Sequence, residues 1–461
     1  MKKGKIVNRE TWASKMGFIL AGAGSAIGLG NIWRFPTTAG QNGGAAFIFI
    51  YLFSVIFICL SVLIAELALG RNTKKNPVGA YNSISPHSAW KYFGILGVLT
   101  GWGIASFYSV VAGWTLAYIF KTATGFFSSM TSEQISSSFT EFVSNPLSSI
   151  SLHLIFMSLT MAILFGGVKK GIEKWSKILM PVLLVILFLL VLRSVLLPGS
   201  KEGFQFLFKP DWSAITGRSV LAAVGQAFFS LSLGMGTMIV YGSYLSKNEN
   251  LISSAAWVAS LDTIIALMAG LAIFPALFAF GLEPTIGAGL IFVVLPNIFN
   301  EMFLGTLFGS GFFILLGIAA LTSMISIVEV PVAYFIDEFK WSRKKSVTVA
   351  GIGAFCAGIP AALSLGALDA LSNFISIEGR NYGFLDFMNL IFGQYSLMIG
   401  SVGVALFTGW KWGKDKIIQE ITNGYENFSY GSLYNVFIKF IAPFSLLFLL
   451  IYLILNPNAF A

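Results

Sequence analysis

The chain is poor in the residues on which soluble proteins and most enzymes depend. Only 11% of its 461 residues are charged, 56% are hydrophobic, and the mean hydropathy is +0.80. So little charge over this length excludes an ordinary soluble domain and describes an integral membrane protein, helical and built as one bundle. Histidine is nearly absent: His87 and His153 stand alone, as structural or interfacial residues. With no Ser/His, Asp/Asp or metal-ligand constellation, the sequence argues against an enzyme. The two cysteines, Cys59 and Cys356, lie in apolar runs and read as buried inert thiols, without a disulfide framework or zinc motif. The net charge of +9 sits on segments between apolar runs, which suits membrane topology and not nucleic-acid binding. No cleavable signal peptide is read, because the first apolar run continues into residues with the character of a site.

A spanning helix needs about 20 apolar residues. By length and charge breaks the chain holds about eleven such spans, placed at 12–37, 42–70, 88–123, 151–168, 175–199, 217–245, 252–281, 301–336, 346–366, 382–409 and 434–455. The basic N-terminus MKKGKIVNR and the groups Arg71/Lys74/Lys75, Lys169/Lys170/Lys174/Lys177, Lys340/Arg343/Lys344/Lys345 and Lys411/Lys414/Lys416 fall on alternate connections. Between them lies the Ser-rich stretch 127–152, with Glu133 and Glu141 and no lysine or arginine. The positive-inside rule then places the N-terminus in the cytoplasm of a cell whose inner (plasma) membrane the chain crosses repeatedly. An odd number of spans puts the tail NPNAFA outside.

Two spans are unsuited to remaining helical throughout. The first contains GAGSAIGLGNIWRFP at Gly22–Pro36, and the sixth contains QAFFSLSLGMG at Gln226–Gly236. Glycine is a poor helix former, and a break frees backbone groups that hydrocarbon cannot satisfy. Such a break must face protein, an ion or a solute. For glycines alone, close helix packing explains the run equally well; Asn31 and Arg34, just past the first break, favour a binding site. Breaks at matching places in two halves point to a solute site at the bilayer midplane. The expected organisation is a single transporter domain over 1–461, with a first repeat at about 12–199, an inverted second repeat at about 217–409, and an extra helix at about 434–455.

Half-helix ends attract anions at N-termini and cations at C-termini. Asn31, Ser230, Thr322 and Ser323 add hard oxygen ligands, although a Thr–Ser pair in an apolar span is as well explained by back-bonding to its own helix. Asp262 is the only charge in the run Leu251–Gly281, roughly 15 Å along the helix from Leu251. A carboxylate at that depth marks an ion or proton path. Glu66 and Glu329 read as braces for the broken helices.

With these residues in view, the chain resembles the neurotransmitter:sodium symporter family over nearly its whole length. The resemblance is carried by GSAIGLGNIWRFP at Gly24–Pro36, NGGAAF at Asn42–Phe47, GQAFFSLSLGMG at Gly225–Gly236 and ALTSMIS at Ala320–Ser326. It implies an all-α LeuT-like fold with helices 1 and 6 broken, and a symporter rather than an enzyme. It implies two sodium sites. The first would use the carbonyl of Ala26, the side chains of Asn31 and Asp262, Ser230, and the substrate carboxylate. The second would use carbonyls of Gly24, Ile27 and Ala319 with the hydroxyls of Thr322 and Ser323. The substrate carboxylate would meet the Leu29 and Gly30 amides and the Tyr108 hydroxyl. Its ammonium would meet carbonyls of Ala26, Phe229 and Ser230 and the Ser232 hydroxyl. The side-chain pocket would be Ile104, Val111, Phe229, Met235, Ser323 and Ile327. Arg34 and Asp386, lidded by Tyr108 and Phe229, resemble the outer gate; Arg9 and Asp337, with Trp12 and Tyr244, resemble the inner one. Gly171 and Pro181 resemble the point at which the fifth helix unwinds for inward release.

Two departures carry expectations of their own. The family's leucine-transporting member has Asn where this chain has Asp262, and Glu where this chain has Ala266. Animal relatives need chloride, and Tyr51, Gln226 and Ser230 match its cradle. Asp262 is therefore expected to supply the missing negative charge and to make chloride unnecessary. The chain also ends after eleven expected helices where animal relatives have twelve, which leaves monomer and homodimer open. Met235, Ser323 and Val111 make room for a large hydrophobic or aromatic amino acid, and the chain resembles bacterial members of the family that carry tyrosine or tryptophan. A proton-coupled carrier and a symporter of branched aliphatic amino acids remain the alternatives.

Overall fold

The computed structural model describes residues 9–282, 289–422 and 431–458. The first eight residues of the basic N-terminus and the last three of the tail lie outside the described residues. Helix α1 (Lys15–Ala26) starts at the N-cap Ser14, whose hydroxyl accepts from the Gly17 amide, and stops where Ile27 turns extended. After a bend of 53°, α2 (Gly30–Gln41) resumes with one wide π turn. Then come α3 (Ala45–Thr73), α4 (Lys91–Ala123), α5 (Pro146–Phe165) and α6 (Val168–Val195). The second half opens with two short helices, α7 (Gly217–Ser230) and α8 (Thr237–Ser243). It continues with α9 (Leu251–Ala279), the shorter α10 (Leu290–Glu301), α11 (Gly305–Phe339), α12 (Arg343–Leu363) and α13 (Phe384–Trp412). Helix α14 (Lys414–Thr422) and α15 (Gly431–Leu455) close the chain. The only strands among the described residues form an antiparallel hairpin, β1 (Ile375–Ile377) and β2 (Arg380–Tyr382).

Among the described residues nine helices are long and apolar enough to cross a membrane, and the bent α1–α2 pair makes a tenth. Eleven were expected. The difference is the expected span 217–245, which the chain builds as α7 and α8 around a break. Ser232, Gly234 and Gly236 there adopt left-handed backbone angles of +53°, +87° and +82°, a region in which glycine carries no steric penalty. Glycine also sets the packing beside this break. A Cβ on Gly70 would lie 1.9 Å from the Ile239 carbonyl, and one on Gly242 2.5 Å from the Leu67 carbonyl, so α3 and α8 meet backbone to backbone.

The core is one continuous cluster of aliphatic and aromatic side chains reaching from Phe18 to Leu453. The outer faces are also apolar: Phe188, Phe444 and Phe448 are each more than half exposed. Such faces call for lipid or another apolar surface against them. Cys59 is buried as expected, but Cys356 is exposed. It stands on the outer face of α12, so the expectation of a buried pair fails for one of the two.

Arg9 meets Asp337 at one end of the bundle, which also carries the lysine-rich connections. The chain leaves at the other end, where the Tyr382 hydroxyl donates to the Asn458 side chain at 2.6 Å. The first and last described residues therefore lie on opposite faces.

Candidate functional site

The two breaks face each other and are tied together by Asp262 from α9. Asn31, in the π turn that restarts the first broken helix, donates from Nδ2 to Asp262 Oδ1 at 2.7 Å and to its carbonyl at 3.0 Å. Ser230, the last residue of α7, donates to the other carboxylate oxygen at 2.7 Å. A third link runs from Gln226 Nε2 to the Gly30 carbonyl at 3.1 Å. Asn31, Ser230 and Asp262 are all buried. Each carboxylate oxygen accepts a neutral donor, and no basic side chain forms an ion pair with it among the described residues. A buried carboxylate held in this way is incompletely compensated and suits a cation. Tyr51 Oη and Gln226 Oε1 are also buried and without a partner.

Beside this cluster, α4 reaches the first break. The Leu29 amide donates to the Tyr108 hydroxyl at 3.1 Å. A Cβ on Gly28 would lie 2.8 Å from that hydroxyl and 3.0 Å from Ser323, so glycine is what allows α4, α11 and the break to converge. Ser232 and Ser323 both donate to the Ser25 carbonyl, at 3.0 and 3.2 Å. Phe229 closes over the break, with its ring 2.9 Å from where a Cβ on Gly30 would sit. Ile104, Val111, Met235 and Ile327 are buried on α4, in the second break and on α11, and Ala26 is buried at the end of α1.

On the far side of α1, Gly24 lies against Thr322 and Met180: a Cβ there would be 3.2 Å from each. Ile27 and Ala319 are buried nearby in sequence. The Thr322 hydroxyl is back-bonded, at 3.1 Å to both Ile318 and Ala319 carbonyls, so the bland reading of that hydroxyl holds in this structure. Glu66 does brace a break, accepting from the Gly234 amide at 2.7 Å. Glu329 sits lower, accepting from the Tyr244 hydroxyl at 2.7 Å and from Arg343 at 3.0 and 2.7 Å.

The two gate pairs differ. Arg9 forms an ion pair with Asp337, donates to Ser243 at 3.1 and 2.7 Å, and lies 4.8 Å over the Tyr244 ring. Trp12 donates from its indole to the Tyr241 carbonyl at 3.1 Å. Burial opposes the Arg9 charge, but Tyr244 and Asp337 hold its pKa above the ordinary arginine value. Arg34, by contrast, rests on the Phe229 ring at 4.3 Å. It forms no ion pair with Asp386 among the described residues. The segment at Gly171 is wound: Val168–Glu173 is a π turn that runs directly into the rest of α6, with Pro181 inside the helix.

Several contacts were not read from sequence. Glu10 accepts from the Val168 amide at 2.5 Å, and Glu173 accepts from the Ala13 amide at 2.7 Å and Ser14 at 3.0 Å, so the N-terminal segment and α6 clasp each other. Arg71 and Glu420 form a buried ion pair at 2.7 Å. His153 bridges Ser109 at 2.8 Å and the Phe355 carbonyl at 3.0 Å. These partners lie more than forty residues apart in sequence, and no local pattern joins them.

Comparison with known proteins identifies the family and the fold. The model of the sodium:neurotransmitter symporter family matches residues 9–141 and 122–460. The chain is 40% identical over 445 residues to an uncharacterized sodium-dependent transporter of Bacillus subtilis, covering 96% of this chain and 97% of the relative. It is 34% identical over 432 residues to one from Methanocaldococcus jannaschii, covering 90% and 84%. The crystal structure of MhsT in complex with L-phenylalanine superposes with a TM-score of 0.88 at 45% identity, covering 96% of this chain and 99% of that one.

Proposed function

The chain belongs to the sodium:neurotransmitter symporter family, and from that premise we propose that it imports a large hydrophobic or aromatic amino acid with sodium, by alternating access and without chloride. It is a multi-pass membrane transporter of an all-α, LeuT-like fold. The observation that carries the finer reading is the buried Asn31–Asp262–Ser230 cluster joining both breaks. A sodium ion entering there would take Asn31 and Ser230 oxygens and one Asp262 oxygen, with the Ala26 carbonyl and the substrate carboxylate completing the shell. The shared substrate carboxylate couples ion to solute. Because Asp262 brings its own negative charge beside Tyr51 and Gln226, the site needs no chloride to balance the cation.

The second sodium would lie among Gly24, Ile27, Ala319, Thr322 and Ser323. It requires Thr322 to exchange its back-bond for the ion. The amino-acid carboxylate would replace the Leu29–Tyr108 hydrogen bond, and the ammonium would face the Ala26, Phe229 and Ser230 carbonyls and Ser232. Phenylalanine bound to MhsT supports an aromatic side chain over Ile104, Val111, Met235 and Ile327. Lysine-rich connections on one face support a cytoplasmic N-terminus and a C-terminus outside, in the inner (plasma) membrane of the cell. The proposed repeats at about 12–199 and 217–409 would each carry one of the two breaks.

Asn31→Ala is expected to weaken sodium about tenfold in sodium-dependent substrate binding, since a charge-assisted contact is lost. Unchanged sodium affinity would remove Asn31 from the first site.

A further inference from the structure

The last helix, α15, carries a lysine on its outer side. Lys439 is partly exposed, and its ammonium rests on two aromatic rings, Trp410 of α13 at 4.3 Å and Phe440 at 5.5 Å. It forms no ion pair among the described residues. Trp410 is pinned beside it. Its indole donates to the Lys439 carbonyl at 3.0 Å, and its ring meets Phe440 edge-on at 5.6 Å. A Cβ on Gly409 would lie 2.9 Å from the Lys439 Cα, so α13 and α15 touch backbone to backbone at this level. Both helices widen there into π turns, Phe407–Trp412 and Phe437–Ile441, a form that gathers at functional sites. None of these groups belongs to the transport site.

Trp410 is 57% exposed, and an exposed tryptophan on a membrane helix belongs at the level of the lipid headgroups. Lys411, the next residue, is exposed as well. From Phe440 the outer face of α15 continues through Phe444 and Phe448, 66% and 64% exposed. Their four-residue spacing sets the three rings in one stripe about 12 Å long, within the roughly 15 Å of hydrocarbon in one leaflet. An ammonium has three N–H donors, and an aromatic face attracts the cation without supplying an oxygen acceptor. Water or a soluble anion would fill those donors, but neither uses the apolar stripe that begins at the same point. An acidic phospholipid uses both. We propose that Lys439 and Trp410 head a site for an anionic phospholipid on the open seam between α13 and α15. The lipid phosphate accepts from Lys439 beside Trp410, and one acyl chain runs along Phe440, Phe444 and Phe448. Under the orientation proposed above, the lipid comes from the inner leaflet.

The test is titration of the purified full chain in detergent, read by native mass spectrometry. The probes are phosphatidylglycerol and its zwitterionic counterpart, phosphatidylcholine with the same acyl chains. The unmodified protein is expected to hold one phosphatidylglycerol about fivefold more tightly, the scale of one lysine at a membrane surface. Lys439→Gln should lose that preference, and Lys439→Arg should keep it. Lys201→Gln, exposed at the opposite end of the bundle, should also keep it. A phosphatidylglycerol with a photoactivatable group near the top of one acyl chain should label Phe440 or Phe444 of the unmodified protein. Equal binding of the two lipids would overturn the proposal, and so would labelling confined to other helices. Both are read on the unmodified protein and stand even if Lys439→Gln fails to fold. A folded Lys439→Gln with undiminished preference would overturn it as well. So would full displacement of phosphatidylglycerol by millimolar inorganic phosphate, which would make this a site for a soluble anion.

Discussion

The two ends of the bundle are held by different forces. All six ion pairs between described residues lie at the lysine-rich end: Arg9–Asp337, Arg71–Glu420, Lys247–Glu420, Lys177–Glu173, and Arg343 with Glu10 and Glu329. Around them the N-terminal segment is clasped to α6 by Glu10 and Glu173. At the opposite end aromatic packing prevails. Phe292 stacks on Phe139 at 5.6 Å and meets Trp114 and Tyr118 edge-on, while Arg34 lies on Phe229 and not on Asp386. Directional charge pairs have two discrete arrangements, made and broken, so they suit a gate that is latched. Apolar contacts can slide and repack. The lysine-rich end is therefore held by ion pairs, whereas the Arg34 end has none among the described residues.

This contrast can be broken at several points. The largest effect is expected at its centre: Asp262→Ala strands Asn31 and Ser230 and removes the charge proposed to hold the cation. Uptake driven by sodium should fall at least about 100-fold, on the scale of losing a buried, hydrogen-bonded charge. Activity within about threefold of the unmodified protein would dissociate Asp262 from the ion. Next is the buried Arg71–Glu420 pair. Glu420→Ala leaves Arg71 uncompensated and should lower stability by about 3 kcal/mol, visible as a drop in melting temperature. Lys247 is about half exposed, so Lys247→Ala should cost well under about 1 kcal/mol. If the two variants melt alike, the latch is not the buried pair.

The same carboxylate gives a pH signature. Burial acts to raise the Glu420 pKa, but Asn72, Lys247 and Arg71 outweigh it and hold the value below the ordinary glutamate range. A depressed folded pKa stabilises above the unfolded value and loses that stabilisation as pH falls through the folded one. The melting-temperature difference between the unmodified protein and Glu420→Ala should thus be full at pH 7 and shrink in acid below about pH 4.5. A constant difference down to pH 3 would assign the effect to packing. Smaller again is Asp337→Ala, which leaves Arg9 with only Ser243 and the Tyr244 ring and should speed hydrogen exchange over residues 9–26 about tenfold, the scale of one lost charge-assisted contact. Smallest is Asp386→Asn. Asp386 has no ion-pair partner among the described residues, so stability should move by less than about 0.5 kcal/mol. A loss as large as that of Asp337→Ala would mean that the Arg34 end is latched too.

Much of the site was legible in sequence because its chemistry is local. Glycine-rich breaks, an asparagine beside one and a lone carboxylate in an apolar span are anomalies against the rules for membrane helices, and each is found facing the others. The resemblance to known symporters added the ligand assignments, which periodicity alone cannot supply. What escaped was of three kinds. Long-range side-chain contacts such as Glu10 with Val168 or His153 with Ser109 join residues that no local pattern relates. The π turns at Ser54–Cys59 and Asn389–Ser396 change hydrogen-bond register without changing composition. Cys356 shows a third limit: an apolar neighbourhood in sequence does not separate a core face from a lipid-facing one.

The most direct test of the central claim is uptake of radiolabelled tyrosine, tryptophan and leucine into vesicles holding the unmodified protein under an inward sodium gradient, with and without chloride. Sodium-dependent accumulation that favours the aromatic amino acids and ignores chloride is the predicted result. Accumulation that requires chloride would contradict the role given to Asp262. Accumulation driven by a proton gradient without sodium would contradict the coupling itself and make Asp262 a proton carrier.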